Sequence, residues 1–525
     1  MKNKIMTGSE AVSLIKDGDT LVTAAAGLIG YPEYLVKCLV ERYQKTQSPR
    51  GLTLVSGCGH AVWDERGDSR FALPGLLKRH ICTHPDAAPP LRKMLENNEV
   101  ECYILPQGVL NQLYRASAAK QAGIISKIGL GTYVDPRQEG GKVNDAAKAQ
   151  EDLVELINIK GEEWLFYNTF PINVAFVRAT TADEKGNLTI EHEALKLESL
   201  EIATCAKSHG GIVIAQVKQV TTYGSLNPKA VVVPGVLVDA IVIAEDQEVN
   251  HRQTPGTFYS PYLSGELRQP LAMQNLVKDE LEPIDIIARR AAFELFPGAV
   301  VNIGIGIGAA LGPVADLEGI SKHITLTVEL GVFGGTPAPI PNFGCAVNPE
   351  AFISHSNMFD FYHGGGLDIT FLGAAEIDKE GNVNVSKFGN RIAGTGGFID
   401  ISQSTPRVVF VSYFKAKGFE AKVSDGKLQI IKQGDVVKLK EKVGQISFSG
   451  KVAAAKNQDV TVITERAVFK LGKEGLILTE IAPGVDLEED ILKQMEFKPI
   501  ISKDLKEMDA RIFKPGRMGI FDDVI

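Results

Sequence analysis

The sequence predicts an α/β protein built from two similar domains. Its 525 residues correspond to three or four domains of ordinary size, or to two large ones. One order of elements occurs near the start and recurs about 280 residues later: a helix, a glycine-containing turn, a strand and a loop of small residues. This repeat indicates a duplication. Short β-branched runs separated by helical patterns predict buried strands in sheets that helices cover on both faces.

The first copy of this order begins with a capping box. Thr7 and Glu10 have the required spacing, apolar residues follow, and Lys16-Asp-Gly-Asp ends the short helix that they predict. Thr20-Leu-Val-Thr then predicts a strand. Ala24-Ala-Ala-Gly-Leu-Ile-Gly-Tyr-Pro predicts a loop that leads into a helix starting near Pro32.

The second copy begins at Pro283. Apolar residues then recur at helical spacing, which predicts an amphipathic helix. Pro297-Gly298 ends this helix, Ala299-Val-Val-Asn predicts a strand, and Gly304-Ile-Gly-Ile-Gly-Ala-Ala predicts a loop. The apolar face contains Ile284, Ile287, Ala288, Ala291, Ala292, Leu295 and Phe296. The opposite face contains Asp285, Arg289, Arg290 and Glu294.

The duplication predicts two domains, residues 1–275 and 276–525, joined in the polar, proline-containing stretch between Glu248 and Glu282. Further buried strands are predicted at Gly211-Ile-Val-Ile-Ala, Ala230-Val-Val-Val, Ile241-Val-Ile-Ala, Ile324-Thr-Leu-Thr-Val, Val408-Val-Phe-Val and Val460-Thr-Val-Ile.

Composition narrows the function classes. Lys plus Arg number 56 against 64 Asp plus Glu, a net charge of −8, which favours neither nucleic acid nor an anionic membrane as a partner. The first residues contain no apolar stretch typical of a signal peptide. The six cysteines include no Cys-x-x-Cys pair, a pattern typical of reduced thiols. These features predict a cytoplasmic protein.

Glu329 is the first candidate functional residue. It follows the predicted strand Ile324-Thr-Leu-Thr-Val and precedes Leu330-Gly-Val-Phe-Gly-Gly-Thr-Pro. Ligands of open α/β sheets bind beyond the carboxyl ends of strands, and glycines let another molecule approach closely. The alternative is a solvated glutamate at a strand end.

Three glycine-rich runs form a second group of candidates. They are Phe359-Asp-Phe-Tyr-His-Gly-Gly-Gly-Leu-Asp, Gly381-Asn-Val-Asn-Val-Ser and Gly394-Thr-Gly-Gly-Phe-Ile-Asp. Runs of this kind let consecutive backbone N–H groups converge on a phosphate or a developing oxyanion. Tight turns are the alternative explanation.

Other site types have weaker signals. His80 and His84 have the spacing of two ligands on one helix face, but no third ligand occurs at a familiar spacing, so we predict no metal site. Gly304-Ile-Gly-Ile-Gly departs from the dinucleotide-binding pattern. No nucleophile elbow occurs.

Together the motifs resemble those of the family I coenzyme A transferases. The resemblance rests on Glu329-Leu-Gly-Val-Phe-Gly-Gly and the three glycine-rich runs. The chain is more narrowly similar to the single-chain acetate and propionate CoA-transferases of bacteria. The motifs that carry this narrower resemblance are Gln107-Gly-Val-Leu, Gly129-Leu-Gly-Thr-Tyr-Val-Asp-Pro-Arg, Thr464-Glu-Arg-Ala-Val-Phe and Glu480-Ile-Ala-Pro-Gly-Val-Asp-Leu.

The resemblance implies one α-subunit-like and one β-subunit-like half, the second carrying the nucleophile and the CoA site. It implies that Glu329 forms a γ-glutamyl-CoA thioester. Backbone N–H groups of Gly397 and Phe398 would form an oxyanion hole, aided by the side chains of Gln107 and Asn302. Residues Gly394, Gly396 and Gly397 would line the CoA site. Acyl-CoA and small carboxylates would be the substrates, with no cofactor, and a homo-oligomer is expected.

Two positions depart from the family pattern. Many relatives have Gly-Gly-Phe where this chain has Ala24-Ala-Ala, and some have Asn at the position of Tyr34. Two other functions stay open at this point. A hydrolase would admit water to the same intermediate, and a non-catalytic sensor of CoA or a sugar phosphate would share only the fold.

Overall fold

The computed structural model describes residues 3–269, 278–304 and 306–525. Each of its two units collects segments that are distant in sequence. The first contains Met1–Gln269, Val328–Asp360 and Phe388–Asp400, and the second contains Pro270–Thr327, Phe361–Lys387 and Ile401–Ile525. Two segments of the predicted second domain thus belong to the first unit. The predicted boundary between residues 275 and 276 lies outside the described residues and stays a prediction.

The first unit is built on a parallel sheet. Its seven main strands all pair in parallel, and Leu188–Thr189 adds a short antiparallel pairing to the strand Val174–Asp183. Across the sheet the main strands are Ala240–Ile243, Ile212–Thr221, Val174–Asp183, Thr20–Thr23, Leu52–Ser56, Leu77–Cys82 and Glu101–Ile104.

Helices and small antiparallel pairings complete the first unit. Its longer helices are Glu33–Thr46, Pro89–Glu96, Gln107–Ala118 and Ser199–Ser208, and shorter ones are Gly8–Val12, Asp145–Lys148 and Gln247–Asn250. The helices His355–His363 and Phe398–Ser404 begin in it. The small pairings join Gly123–Ser126 and Val154–Ile159 to Glu162–Asn168, Val332–Phe333 to Ala351–Phe352, and Thr336–Pro337 to Ala346–Val347.

Local sequence signals account for the start of this unit. The Thr7 hydroxyl accepts a hydrogen bond from the Glu10 N–H at 3.2 Å, and the Thr7 N–H donates to the Glu10 carboxylate at 2.9 Å. This is the predicted capping box. The predicted strand Thr20–Thr23 and the helix that begins after Pro32 are also confirmed.

The apolar core of the first unit includes side chains from its distant segments. Leu330, Val332 and Cys345 from Val328–Asp360 belong to it, as do Ile392 and Ile399, and each is at most 3% exposed. These segments are therefore structural parts of the unit.

The second unit also has a sheet with a parallel centre. Four parallel pairings join its first five strands. Two antiparallel pairings and a final parallel one extend the sheet at one edge. Across the sheet the strands are Thr325–Val328, Val300–Ile303, Ile369–Gly373, Arg407–Val411, Asp459–Ile463, Ala467–Gly472, Gly475–Ile481 and Ile500–Glu507. The chain passes into the first unit at Val328.

Helices and short pairings complete the second unit. The helices are Pro283–Ala292, Leu311–Glu318, Gly450–Ala455 and Phe521–Val524. Short pairings join Glu376–Asp378 to Val383–Asn384 and Leu439–Lys440, Lys415–Ala416 to Val436–Val437, and Glu420–Ser424 to Lys427–Lys432.

The helix at Pro283 departs from the predicted pattern. It ends at Ala292, four residues before the last predicted apolar position. The spacing predicts that the charged face lies opposite the apolar face and is exposed. In the structure Asp285, Arg289 and Arg290 are at most 9% exposed. Arg289 donates to the backbone oxygens of Ile512 and Gly516 at 2.8 Å, and both Arg290 and Glu480 lie in a buried ion pair. The C-terminal residues thus cover a face that periodicity alone assigns to solvent.

One predicted strand is wrong. Ala230-Val-Val-Val forms a turn and a single bridge, from Val233 to Leu188, and no strand. Its partner strand is only two residues long, and Pro234 has no N–H with which to continue the pairing. The other predicted strands are present within a residue or two at their starts. Among the described helices, none has the length and apolar character needed to cross a bilayer.

Candidate active site

The candidate site lies at the carboxyl edge of the first sheet. Four neighbouring parallel strands end there, so the loops that follow them meet at one edge. The loop after Thr23 donates from the Gly27 N–H to the Gly59 oxygen at 2.7 Å, in the loop after Ser56. The loop after Cys82 supplies Thr83, and the fourth leads into Gln107.

Glu329 follows the last residue of the strand Thr325–Val328 and is half-buried. The structure therefore places it at a strand end, as predicted. Burial, with the charges of Glu329 and Glu198, raises the pKa of the Cys58 thiol. Since charges act strongly only at short range in a protein, this effect places both carboxylates near Cys58.

Gln107 is held by a buried hydrogen-bonded chain. Its amide Nε2 lies 2.8 Å from His355 Nε2, and His355 Nδ1 lies 2.9 Å from a carboxylate oxygen of Glu198. Gln107 is 2% exposed, and His355 and Glu198 are 0% exposed. A third residue, Asn111, donates to the backbone oxygens of Gln107 and Gly57 at 2.8 and 3.1 Å.

The predicted glycine loop is anchored to the loop after Cys82. The N–H groups of Thr395 and Gly396 both donate to the Thr83 oxygen, at 2.9 and 3.0 Å. A Cβ on Gly394, whose φ is +80°, would lie 2.4 Å from that oxygen, so only glycine fits. The Gln107 N–H donates to the Gly396 oxygen at 3.4 Å, which joins this loop to the Gln107 chain.

The remaining predicted oxyanion donors occupy different surroundings. The Phe398 N–H donates to the Thr395 oxygen at 3.0 Å and closes a turn, and Gly397 is buried beside it. Asn302 belongs to the second unit, where its side chain is 1% exposed and bonds with Tyr362 and Thr370. The roles assigned to Gly397, Phe398 and Asn302 stay predictions.

The two departures from the family pattern lie in different places. Residues 24–26 are at most 2% exposed and occupy the loop after Thr23, at the edge of the site. Tyr34 lies on the helix Glu33–Thr46, where burial and then the Glu245 carboxylate raise its pKa. The Tyr34 ring packs against Gly8 of the first helix, so this side chain serves the packing of two helices.

The weaker sequence candidates do not form sites of the kind their spacing suggests. His80 lies in the strand Leu77–Cys82 and His84 lies beyond it, so they share no helix face. Within the described ranges, no three His, Cys, Asp or Glu side chains form a group suited to a metal. Gly306–Ala310 forms a short 3₁₀ helix after the strand Val300–Ile303, and Ile305 lies outside the described residues.

Sequence reasoning missed Glu198 and His355. They are 157 residues apart, and neither belongs to a glycine-rich run or to a familiar spacing. One signal was present in each case: His355 begins a helix, as Gln107 does, and Glu198 directly precedes one.

Known proteins resemble this chain over nearly its whole length. The family model described as Coenzyme A transferase matches residues 5–244 and 284–492. Caffeate CoA-transferase of Acetobacterium woodii is 46% identical over 98% of both chains. Acetate CoA-transferase YdiF of Escherichia coli K12 is 43% identical over 98% of this chain and 96% of its own.

Solved structures agree with these sequence matches. The apoenzyme of the acyl-CoA transferase YdiF from E. coli O157:H7 superposes with a TM-score of 0.93 and 42% identity, covering 99% of this chain and 97% of its own. The same protein, solved as a thioester complex with CoA, gives a TM-score of 0.91 with the same identity and coverage. The predicted fold class is therefore confirmed, and the chain belongs to the coenzyme A transferase family.

Proposed function

We propose that the protein moves CoA from a short-chain acyl-CoA to a carboxylate such as acetate through a thioester between CoA and Glu329. One observation carries the proposal. Glu329 follows a strand end, and its charge, like that of Glu198 in the chain that holds Gln107, contributes to the raised pKa of the Cys58 thiol. This effect supports a shared site for the carboxylate and the fixed amide.

The chemistry needs no general base. An ordinary glutamate has a pKa near 4.3 and is a carboxylate at pH 7. Glu329 attacks the thioester carbonyl, and the C–S bond breaks to give an acyl-glutamyl anhydride and CoA thiolate. The thiolate then attacks the glutamyl carbonyl, which releases the first carboxylate and forms the enzyme thioester. An incoming carboxylate reverses these steps.

Each step passes through a tetrahedral oxyanion that must be stabilised. The buried amide of Gln107 and the backbone N–H of Gly397 are proposed donors. The Phe398 N–H is proposed to join them by exchanging its bond to the Thr395 oxygen for one to the oxyanion. Loss of one such donor commonly lowers a rate by about 10²- to 10³-fold. Exclusion of water protects both the anhydride and the thioester from hydrolysis.

Two relatives support parts of this proposal. YdiF has been solved as a thioester complex with CoA, the type of intermediate that we propose. Its 43% identical namesake from K12 is an acetate CoA-transferase, whereas the 46% identical relative is a caffeate CoA-transferase. The acyl group is therefore the part of the proposal that a substrate panel must decide.

The proposed intermediate is tested by mass. Acetyl-CoA is added to the protein, and the intact mass is measured for covalently bound CoA. Borohydride is added to a second sample to reduce the thioester to an alcohol, and the modified peptide is identified. We expect the label on Glu329 and its loss in Glu329→Ala. The exposed Glu350 of the same segment provides the matched control, Glu350→Ala.

The reaction class is tested with acetyl-, propionyl-, butyryl- and caffeoyl-CoA, each with and without acetate. Transfer requires the acceptor, whereas hydrolysis proceeds without it. Consumption of acyl-CoA that does not depend on acetate would identify a hydrolase. Absence of both reactions and of the adduct would leave the sensor function.

A further inference from the structure

The buried chain Glu198–His355–Gln107 has a defined direction. Glu198 is the N-cap residue of the ten-residue helix Ser199–Ser208. A carboxylate only accepts hydrogen bonds, so the His355 nitrogen 2.9 Å away, Nδ1, carries a proton and donates it.

This direction determines the role of the other ring nitrogen. In a neutral imidazole with a protonated Nδ1, the Nε2 atom accepts. The Gln107 Nε2 atom lies 2.8 Å away and donates one of its two N–H groups to it. The Gln107 carbonyl oxygen then faces Gly396. A Cβ added to that glycine would lie 3.3 Å from this oxygen.

The second amide N–H of Gln107 is left for a ligand. A rotation of the amide by 180° would exchange its oxygen and nitrogen and would present a lone pair where a donor is needed. The rotated amide needs a proton on His355 Nε2, which the neutral tautomer with its single proton on Nδ1 does not carry.

We propose that Glu198 and His355 are positioning residues that keep an amide N–H of Gln107, and not its oxygen, directed at the reacting thioester. The proposal rests on the proposed function, because it assigns Gln107 to the oxyanion. Neither residue touches the substrate in this scheme, and both act through Gln107. A neighbouring carboxylate fixes the tautomer of other catalytic or metal-bound histidines in the same way.

Glu198→Gln is the direct test, since it keeps size and removes charge. A glutamine at this position accepts from or donates to Nδ1, so the tautomer of His355 is no longer fixed. We expect kcat and kcat/KM to fall together by at least about tenfold, because the lost interaction belongs to the transition state. Glu248→Gln, at an exposed position in the first turn of the helix Gln247–Asn250, is the matched control and should stay within about twofold.

A double-mutant cycle separates positioning from general support of the fold. In a Gln107→Ala background, Glu198→Gln should lower kcat by less than about twofold, since the group on which it acts is gone. An equal loss in both backgrounds would overturn the proposal, as would wild-type kcat in Glu198→Gln. Thermal melting of all four proteins accompanies the cycle.

A second readout does not depend on the reaction. In protein with ¹⁵N-labelled histidine rings, the His355 signals are assigned by their loss in His355→Gln. We expect the neutral tautomer with a protonated Nδ1 in the wild type and a changed tautomer population in Glu198→Gln. A protonated Nε2 in the wild type would overturn the proposal. If the wild type forms no CoA adduct, the proposed function fails, while this readout still decides the direction of the chain.

Discussion

At the scale of single residues, the length of the Glu329 side chain controls the balance between transfer and hydrolysis. Glu329→Asp keeps the charge but withdraws the carboxylate by about 1.5 Å, one carbon–carbon bond. A misplacement near 1 Å costs on the order of 10²-fold in reactions that need near-attack geometry. The space left is close to that of a water molecule, which the shortened carboxylate can deprotonate.

We therefore expect Glu329→Asp to lose more CoA transfer than acyl-CoA hydrolysis. Both rates are measured with acetyl-CoA, with and without acetate, in the variant and the wild type. An unchanged ratio of the two rates would show that water exclusion does not depend on the length of this side chain.

Cys58 lies near the proposed nucleophile, and its thiol is not expected to react. Burial and the charges of Glu329 and Glu198 raise its pKa, so the protonated form dominates at neutral pH, and the thiolate is the reactive species. We expect Cys58→Ser to keep at least about half of the wild-type kcat. Slow labelling by iodoacetamide at pH 7.5, unchanged by acetyl-CoA, is the second measurement. Rapid labelling at Cys58 would contradict the expectation.

At the scale of elements, Arg289 binds the C-terminal residues to the helix Pro283–Ala292 through hydrogen bonds. Its guanidinium donates to four backbone oxygens, those of Arg511, Ile512, Lys514 and Gly516. Removal of this donor leaves the buried Ile512 carbonyl without this partner, and an unsatisfied buried carbonyl costs about 1–3 kcal/mol. The other three carbonyls are partly exposed and can bond to water, so Arg289→Met should destabilise the second unit by about 1–3 kcal/mol.

Limited proteolysis and thermal melting test this expectation. We expect a lower melting temperature and faster cleavage near residues 511–516 in Arg289→Met. The half-exposed Arg407 of the same unit provides the control, Arg407→Met. Equal cleavage rates in wild type and Arg289→Met would mean that the C-terminal residues are held by their apolar contacts alone.

The same helix shows which structural features local sequence patterns predict and which they do not. Capping boxes, prolines and β-branched runs are local signals, and they predict most strands and the starts of the helices Gly8–Val12, Glu33–Thr46 and Pro283–Ala292. Burial of Arg289 depends on residues more than 200 positions away, which periodicity does not contain. For the same reason the strand-end position of Glu329 could be predicted from the local sequence, whereas the pairing of Glu198 with His355 could not.

At the scale of the whole molecule, buried titratable groups couple stability to pH. Burial lowers the pKa of His60 and His80 to about 3 and that of His251 to about 4. Below about pH 6.5 the unfolded chain binds protons at these sites and the folded chain does not, so each histidine lowers stability as pH falls towards 4. Burial raises the pKa of Asp68 to about 7, so this carboxyl raises stability as pH falls. The three histidines outweigh this single group.

The free energy of unfolding should therefore fall between pH 7 and 5, by up to about 1.4 kcal/mol per pH unit for each uncompensated proton. Urea denaturation followed by fluorescence measures it. His251→Gln should make the pH dependence shallower by about one proton, while His323→Gln, at an exposed position, should leave it unchanged. Stability that rises as pH falls would contradict this account.

The exchange of segments between the units predicts that the two halves depend on one another. A fragment of residues 1–275 contains Gln107 and Glu198 but lacks Val328–Asp360 and Phe388–Asp400, which belong to the same unit. It therefore lacks Glu329, the imidazole that pairs with Glu198 and several side chains of its own core. Unpaired buried charge and exposed apolar surface both disfavour folding.

We expect fragments 1–275 and 276–525 to be inactive when expressed separately and to regain CoA transfer when expressed together. Complementation should restore CoA transfer that neither fragment shows by itself. Fragment 276–525 carrying Glu329→Ala is the control, and it should combine with 1–275 to give soluble but inactive protein. Activity of 276–525 alone would contradict the expectation, because it would mean that Glu329 works without Gln107 and without the sheet whose edge supports the glycine loop.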